Sequence, residues 1–458
     1  MKGFRFMAAL YAAKLFAKGL KLLHRAGSHN PGVLALKICP DFLARMDMPK
    51  TIIGITGTNG KTTVINMVDD ILTDQGYQFV SNRAGSNILG GVITSLVTAI
   101  NLKGETVRDL AVLELDERSS RLIYPYLKPN FLLVNNLFRD SFKRNSHSGF
   151  IFDILDGCIP AETKLILNGD DLISSRLASK NDRVYFRVLP QEGEVMDQPN
   201  IIQDLPYCPY CGAPMVYEFR RFHHIGQAHC SSCGFGSPEA DYVFEGQADG
   251  YADIRLPLGT LHCKSVGSSI SDDYNMAGIV ALLSEFGLSP DQLRDSFEKL
   301  HIVKSRYHEL DIAGKHVIKT VAKGQNPVAC SRIFDMIRQH EGRKAVVLMI
   351  DDLGDANSTS ENIAWLYDTD FEFLNDPSIV QVVAGGKRSA DYRVRLLMAG
   401  LSPDKIDCAE READAVYKLR MDECDTIFLL YDVYTVFNAV NAEAGLRKIL
   451  GAEGGAEA

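Results

Sequence analysis

The stretch with the clearest chemical meaning is residues 51–63, TIIGITGTNGKTT. Its β-branched start predicts a buried strand, and the glycine turn that follows leads directly into a helix start. Gly57 and Gly60 let the backbone curl so that consecutive N–H groups point inward, where the helix N-terminus adds partial positive charge. Lys61 can then reach the β- and γ-phosphates of a nucleotide, and Thr62 can ligate Mg²⁺. The stretch therefore predicts a phosphate-binding loop.

Two cysteine pairs form a second pattern. Cys208 and Cys211 make one C-x-x-C pair, Cys230 and Cys233 make another, and a glycine follows each pair. This spacing predicts a zinc ribbon at about residues 205–237, in which the Zn²⁺ is structural because four thiolates leave no position for water. Three histidines between the pairs could substitute as ligands, but four regularly spaced cysteines make them spare: His223, His224 and His229.

The elements that must position these residues alternate between strand and helix. The apolar runs 111–115, 131–135 and 164–168 predict further strands, with helical stretches between them. This alternation predicts a parallel, doubly wound sheet, which binds ligands at the carboxyl ends of its strands. Glu114 lies at such an end and could give Mg²⁺ the hard oxygen ligand it needs near Thr62. A surface acid at the end of a strand is the structural alternative.

The first 45 residues predict an amphipathic helix and a lead-in rather than a cleaved signal segment, because basic residues recur through the apolar run at helical spacing. A helix that packs on its own domain is one interpretation of this pattern. Contact with an anionic membrane surface is the other. The basic residues concerned are Lys14, Lys18, Lys21 and Arg25.

The rest of the chain divides by pattern into an α/β central domain at 46–300, which carries the ribbon as an insert, and a C-terminal α/β domain at 301–450. The second domain is predicted to be Rossmann-like because apolar strand patterns return near its middle and end. The small polar tail at 451–458 is expected to be disordered.

Charge and cysteine usage exclude some classes of protein. The formal net charge is −9, whereas a general nucleic-acid binder usually carries a basic excess. No run of eighteen apolar residues occurs, so the sequence predicts no membrane-spanning helix. Apart from the two pairs, the ten cysteines are scattered, which suits a reduced cytosolic compartment better than a disulfide framework.

The glycine turn departs from the generic P-loop, because Ile55 stands where that pattern has its first glycine. The variant T-G-T-N-G-K-T-T resembles the nucleotide loop of the Mur ligases, ATP-dependent enzymes that join an amine to a carboxylate through an acyl phosphate. The resemblance implies a Mur ligase-type P-loop central domain in which Glu114 and Thr62 hold Mg²⁺. It also implies that ATP is bound by Thr58, Asn59, Gly60, Lys61, Thr62, Thr63, Asn275 and Arg306.

One Mur ligase motif is incomplete in this chain. The family carries N-x-x-x-D-H-L-D after its third strand, and the histidine of that motif helps to hold a second metal ion. Here Asp140 is followed by Ser141 and Phe142, so that histidine is missing.

Other features are similar to the MurT branch of the family: the inserted ribbon, K-x-x-N-P at 323–327 and D-F-E at 370–372. Members of this branch are synthetase subunits of lipid II isoglutaminyl synthase, a peptidoglycan enzyme of the cytoplasm. The resemblance implies that this chain activates the α-carboxyl of D-glutamate in the lipid II stem peptide as an acyl phosphate. Ammonia from a GatD-like glutaminase subunit would then convert this group to D-isoglutamine.

The glutaminase half must come from another chain, because no cysteine here lies in a G-x-C-x-G elbow. In the MurT branch, a C-terminal aspartate completes a triad with the cysteine and histidine of the partner. Asp355 is the match we adopt, with Asp351 and Asp352 as rivals, because this chain reads D-A-N-S where relatives read D-G-x-D. An aspartate loop that caps a helix is the structural alternative.

Two other classes of protein would share some of these motifs. A folylpolyglutamate synthase-like or amino-acid-adding Mur ligase would use an amino-acid amine and need no partner, but the ribbon and the missing histidine argue against it. A non-catalytic P-loop module with a zinc ribbon would bind nucleic acid or protein. The acidic net charge argues against the nucleic-acid form.

Overall fold

The computed structural model describes residues 3–23, 28–83, 85–139, 147–300, 307–322, 325–351, 363–432 and 435–452. The chain divides into two compact units. The first consists of residues 1–138, 147–198 and 203–302, and the second of residues 139–146, 199–202 and 303–458.

A nine-stranded sheet with the order β11-β10-β9-β6-β5-β4-β1-β3-β2 forms the centre of the first unit. Its strands from β9 to β2 pair in parallel, whereas β10 runs antiparallel to both β9 and β11. The parallel strands are buried on both faces because helices cover them. The strands are β1 (Thr51–Thr56), β2 (Phe79–Ser81), β3 (Leu110–Glu114), β4 (Phe131–Val134), β5 (Lys164–Asn168), β6 (Arg183–Val188), β7 (Met215–Phe222), β8 (Ile225–Cys230), β9 (Tyr242–Ala248), β10 (Tyr251–Leu256) and β11 (Gly259–Lys264).

Helices pack around this sheet. The helix after the glycine turn buries Met67, Val68, Ile71 and Leu72, as its helical periodicity predicts. The helices of the first unit are α1 (Phe4–Leu22), α2 (Asn30–Ile38), α3 (Phe42–Arg45), α4 (Lys61–Asp74), α5 (Leu89–Thr98), α6 (Ser120–Ile123), α7 (Ser148–Asp156), α8 (Ile270–Phe286) and α9 (Pro290–Lys299).

Helix α8 is apolar on all sides, and every residue from Asp273 to Leu283 is buried. It begins at a capping box in which the Ser269 hydroxyl accepts a hydrogen bond from the Asp272 N–H. Asp272 completes the box, because its carboxylate accepts a hydrogen bond from the Ser269 N–H.

The strands β7 and β8 form a separate antiparallel hairpin, inserted between β6 and β9. The four cysteines of the predicted ribbon lie at its base: Cys208 and Cys211 precede β7, Cys230 ends β8 and Cys233 follows. This arrangement agrees with the predicted α/β architecture that carries a four-cysteine element as an insert.

The second unit contains a six-stranded sheet in the order β12-β13-β17-β14-β15-β16. In this sheet β12 runs antiparallel to β13. The other neighbouring strands, β13, β17, β14, β15 and β16 in that order, pair in parallel. Its elements are β12 (Tyr307–Ile312), β13 (Lys315–Val321), α10 (Pro327–Gln339), β14 (Lys344–Met349), α11 (Trp365–Asp368), β15 (Ile379–Gly385), α12 (Ser389–Met398), β16 (Ile406–Ala409), β17 (Thr426–Tyr431) and α13 (Val436–Ile449).

Helix α1 packs through its N-terminal half, where Phe6, Ala9, Leu10 and Ala13 are fully buried. Beyond Ala13 the described part of the helix has no buried residue. In the part of the chain that the structure describes, no helix combines the length and the apolar character that a membrane span requires.

Candidate active site

The glycine turn lies where β1 ends and α4 begins. Gly60 has φ +89°, a left-handed conformation that favours glycine. A Cβ atom at this position would lie 2.3 Å from Asn135 Nδ2 and 2.5 Å from Asn275 Oδ1. Because a side chain would collide with both amides, only glycine lets the turn contact the segment after β4 and helix α8 at once.

Three asparagines hold this turn in shape. The Asn59 N–H donates to Asn136 Oδ1 (2.9 Å), and the Asn59 carbonyl accepts from Asn135 Nδ2 (3.0 Å). Asn135 Nδ2 also donates to Asn275 Oδ1 (2.9 Å), and both residues are buried. The sequence associated Asn275 with the nucleotide through family resemblance alone, and the structure places it beside the predicted loop.

Lys61 forms an ion pair with Glu117, with 2.7 Å between Nζ and Oε1, and also donates to the Gly57 carbonyl oxygen. Burial raises the pKa of the Glu117 carboxyl, while the ammonium of Lys61 opposes that rise. The ammonium is therefore held at the mouth of the turn by a fixed partner. Sequence reasoning singled out Glu114 at this strand end and missed Glu117, because no local pattern shows which carboxylate contacts Lys61.

Thr62 and Glu114 lie together, as predicted. Their oxygens Oγ1 and Oε2 are 3.1 Å apart, and Asn87 donates to the other carboxylate oxygen at 2.7 Å. Neighbouring oxygen ligands of an octahedral Mg²⁺ lie about 3 Å apart, since each is about 2.1 Å from the ion. The two residues therefore fit a Mg²⁺ site that would help to neutralise phosphate charge. Thr63 lies beside Thr62 in the first turn of α4 and is partly exposed.

The four cysteine sulfurs all lie within 4.8 Å of one another. The Sγ atoms of Cys208 and Cys233 are 3.5 Å apart, and those of Cys211 and Cys230 are 3.4 Å apart. A tetrahedral Zn²⁺ with Zn–S bonds of about 2.3 Å needs sulfurs separated by about 3.8 Å. The cluster therefore fits a four-thiolate metal site, and small outward shifts of the sulfurs would admit the ion.

The histidines between the cysteine pairs have another environment. His223 and His224 are buried at the turn between β7 and β8. His224 Nε2 lies 3.0 Å from Asp171 Oδ1, and His223 Nδ1 lies 3.2 Å from Asp204 Oδ2. Burial opposes the charged imidazole of His224, but the carboxylates of Asp171 and Asp204 outweigh it and raise its pKa to about 9.

Several predicted residues lie outside the described residues: Arg306, Lys323, Asp352, Asp355 and the Asp140–Phe142 motif. Asp351 is described and follows β14. It is buried, its N–H donates to Glu412 Oε1 (2.9 Å), and its Oδ2 accepts from the Arg388 N–H (3.3 Å). Burial raises the pKa of the Asp351 carboxyl.

The conspicuous acids of the D-F-E motif have structural contacts in the second unit. Glu372 accepts two parallel hydrogen bonds from Arg395, at 2.9 and 2.7 Å. The Asp370 carboxylate accepts hydrogen bonds from the Ile201 N–H (2.6 Å) and from Asn200 Nδ2 (2.8 Å). Asn326 of the K-x-x-N-P motif caps α10 by accepting from the Ala329 N–H (2.9 Å).

Sequence comparison finds similar proteins for most of the chain. Residues 324–437 match the family described as MurT ligase C-terminal. The lipid II isoglutaminyl synthase (glutamine-hydrolyzing) subunit MurT of Staphylococcus aureus (strain COL) is 27% identical over 397 residues, which are 85% of this chain and 87% of that protein.

Solved structures extend the comparison to the whole fold. A pseudomurein peptide ligase type C from Methanothermus fervidus has a TM-score of 0.63 at 19% identity. The alignment covers 90% of this chain and 81% of the ligase chain. The MurF ligase from Thermotoga maritima, whose structure was determined in complex with ADP, has a TM-score of 0.57 at 14% identity. The alignment covers 93% of this chain and 85% of the MurF chain. The sequence matches confirm the predicted resemblance to MurT and the prediction of a ligase. The solved structures confirm the Mur ligase fold.

Proposed function

We propose that this chain is the ATP-dependent synthetase subunit of a lipid II amidating enzyme. The observation that carries the proposal is the meeting of Lys61, Thr62, Glu114 and Asn275 around one glycine turn. This group of residues can bind a nucleoside triphosphate and a magnesium ion. The MurT relative supports the choice of substrate, because that protein is named a lipid II isoglutaminyl synthase subunit of the glutamine-hydrolyzing type.

A carboxylate is a poor electrophile, so the proposed reaction first activates it. The γ-phosphoryl group of ATP is transferred to an α-carboxylate oxygen of D-glutamate, and ADP leaves. Ammonia then attacks the carbonyl carbon, inorganic phosphate leaves with the cleaved C–O bond, and a proton is released. Lys61 would contact the phosphate oxygens on which charge is redistributed in the transition state.

Replacement of Lys61 tests this proposal. Lys61→Ala should lower amidation of lipid II by about two orders of magnitude or more, because a phosphate-binding cation acts mainly in the transition state. Lys50→Ala is the matched control: Lys50 lies just before β1 and pairs with Asp109 at the surface. The assay is mass spectrometry of the stem peptide after incubation with ATP and ammonium. Near-normal turnover by folded Lys61→Ala protein would refute the nucleotide-loop assignment.

The proposal includes a GatD-like glutaminase partner. Ammonium is the dominant form near neutral pH, so a docked glutaminase that delivers ammonia directly would preserve the nucleophile. We place Asp355 at the partner's site, where an aspartate would orient the partner's catalytic histidine and stabilise its protonated form. Asp351, the buried rival, already accepts a hydrogen bond from the Arg388 N–H, which makes it the less available carboxylate.

Two ammonia sources separate the roles of these residues. Asp355→Asn should abolish glutamine-dependent amidation, leave the complex with the partner intact and spare the reaction driven by high ammonium. Loss of both reactions would place Asp355 in the synthetase site instead. If neither reaction changes, the role passes to Asp351 or Asp352, and the same assay on Asp351→Asn and Asp352→Asn distinguishes those two.

We also propose that α1 contacts an anionic membrane surface, where a lipid-linked substrate would be located. Phe4, Tyr11, Leu15 and Leu22 point within about 20° of one direction on a helix of 3.6 residues per turn. They are 91%, 47%, 74% and 82% exposed and lie opposite the buried face of the helix. The described residues of α1 include Arg5, Lys14, Lys18 and Lys21 but no acid, and such a helix favours the interface of anionic bilayers.

Vesicle co-sedimentation tests this contact. The chain should bind vesicles that contain phosphatidylglycerol and should not bind pure phosphatidylcholine vesicles. Leu15→Glu with Leu22→Glu should abolish binding. Leu258→Glu is the control, because Leu258 is 93% exposed in the turn between β10 and β11. Equal binding by the α1 double variant and the control would refute the membrane role of α1.

A further inference from the structure

The tip of the ribbon hairpin packs against the central sheet of its own unit. Its turn is His223-His224, and the residues just after the turn contact the segment that follows β5: the Gly226 N–H donates to the Asp170 carbonyl (2.8 Å), and Ile225 forms a bridge with Asp171. The tip lies about 20 Å from the cysteine end, at about 3.3 Å per residue along β7. The ribbon therefore joins two distant points, a metal site at one end and a sheet end at the other.

His224 continues the contact inward. Its Nε2 lies 3.0 Å from Asp171 Oδ1, and the other oxygen of that carboxylate accepts from the Leu137 N–H at 2.7 Å. The next N–H, of Phe138, donates to the Thr58 hydroxyl at 2.9 Å. Thr58 belongs to the glycine turn, so three hydrogen-bonded contacts connect the ribbon tip to the predicted nucleotide loop: His224 with Asp171, Asp171 with Leu137, and Phe138 with Thr58.

The hydrogen-bonded contacts of His224 and Asp171 are rigid because both residues are buried. His224 and Asp171 are both completely buried, and the rings of Phe138 and His224 pack with 5.1 Å between their centroids. The charged groups that face His224 are the carboxylates of Asp171 and Asp204, at 3.0 and 3.7 Å. Asp171 also accepts from the N–H groups of Ile173 and Ser174, which fixes its orientation. A buried pair of this kind is strongly resistant to separation, because either partner alone would be an uncompensated charge.

We propose that His224 is a positioning residue for the nucleotide loop: by holding Asp171 it fixes Leu137 and Phe138, and through them Thr58. The ribbon then has a role beyond structure, because its tip sets the affinity of the loop for the nucleotide. This inference rests on the proposed function, since it requires that the loop binds ATP. It gives His224, one of the three histidines that the sequence left spare, a role apart from the metal site.

Three substitutions of His224, which differ in whether the new side chain can donate a hydrogen bond to Asp171, test the inference. His224→Gln keeps an N–H donor near the position of Nε2, His224→Asn keeps a donor that is too short to reach Asp171, and His224→Leu removes the donor. The matched control is His262→Leu, because His262 makes a 2.8 Å contact with Asp253 on the surface of the same unit. Each purified full-length chain is titrated with Mg²⁺–ATP by calorimetry, and its zinc content and thermal unfolding are measured in parallel.

The Kd for ATP should rise about tenfold in His224→Asn and more in His224→Leu, a tenfold change being 1.4 kcal/mol. His224→Gln should restore most of the affinity, and His262→Leu should match the wild type. Zinc content should stay constant throughout, which a general loss of structure would not allow. If His224→Leu does not fold, the Kd values of His224→Asn and His224→Gln are compared instead, and a higher Kd in His224→Asn supports the positioning role.

Two outcomes would overturn different statements. Equal ATP affinity in wild type and in folded His224→Asn would refute the positioning role and leave the proposed function in place. Failure of the wild-type chain to bind Mg²⁺–ATP would refute the proposed function, and the inference with it.

Discussion

Replacement of Gly60 by alanine isolates the contact on which the nucleotide turn depends. The new Cβ atom would lie 2.3 Å from Asn135 Nδ2 and 2.5 Å from Asn275 Oδ1, well inside contact distance. The backbone at φ +89° adds a second cost, because a residue with a side chain rarely adopts it. The collision must separate the two asparagines or move the turn.

The expected cost follows from these two contributions. A left-handed conformation costs a residue with a side chain about 1–2 kcal/mol. Loss of the buried Asn135–Asn275 hydrogen bond leaves polar groups unsatisfied, at about 1–3 kcal/mol. Gly60→Ala should therefore lower the free energy of unfolding of the first unit by about 2–5 kcal/mol.

Gly76 provides the matched control for the backbone contribution. It has φ +78°, follows α4 in the same unit, and a Cβ atom there would meet nothing within 4 Å. Gly76→Ala should therefore show only the left-handed cost, about 1–2 kcal/mol. The excess in Gly60→Ala, about 1–3 kcal/mol, measures the collision with the asparagines.

Urea unfolding of both variants, followed by circular dichroism, gives the difference between their midpoints. ATP titration gives a second measure, in which only Gly60→Ala should lose affinity. Equal midpoints together with equal ATP affinities would refute the conclusion that the turn needs glycine because of Asn135 and Asn275.

Three further predictions concern other parts of the chain. Cys230→Ser with Cys233→Ser should lose metal and solubility together, because metal binding and local folding are coupled; zinc-free folded protein, reduced and never exposed to a chelator, would contradict the zinc assignment. The pKa of His224 is raised to about 9 in the folded chain, from about 6.5 in the unfolded chain. The pairing of charged His224 with its carboxylates should therefore stabilise the chain fully below about pH 6.5, and this stabilisation should be lost as the pH rises through 9. The urea midpoint should therefore fall between pH 7 and pH 9.5, and a fall of the same size in His224→Gln would assign it to other groups. Glu117→Gln should lower amidation about tenfold, less than Lys61→Ala, because a neutral amide still accepts a hydrogen bond from Lys61 but attracts its charge less.

The elements around the nucleotide turn could be predicted closely because their signals are local. Continuous apolar runs predicted four of the parallel strands of the first unit, β1, β3, β4 and β5, to within one residue, and the glycine spacing identified the turn. The edge of the sheet was missed. Strands β9 to β11 add to it, and β10 alternates between exposed and buried residues, a period-2 pattern that a closer count would have detected.

The contacts within the site could be predicted only in part. Family resemblance singled out Asn275 and Glu114, and both lie at the turn. Glu117 was missed as the partner of Lys61, because the choice between two nearby carboxylates depends on how β3 leads into the next helix. His224 was judged spare for a similar reason: its partner Asp171 is 53 positions away in the sequence, and no spacing rule connects them.

The placement of α8 has a consequence for synthesis of the chain on the ribosome. Asn275 contributes to a turn whose other residues lie between positions 57 and 136. In a nascent chain the glycine turn therefore stays incomplete until α8 has left the ribosomal exit tunnel and packed against the sheet. A nucleotide bound at the turn, as we propose, would stabilise the chain only after that point, and strand pairing or chaperones would have to protect the earlier part from aggregation.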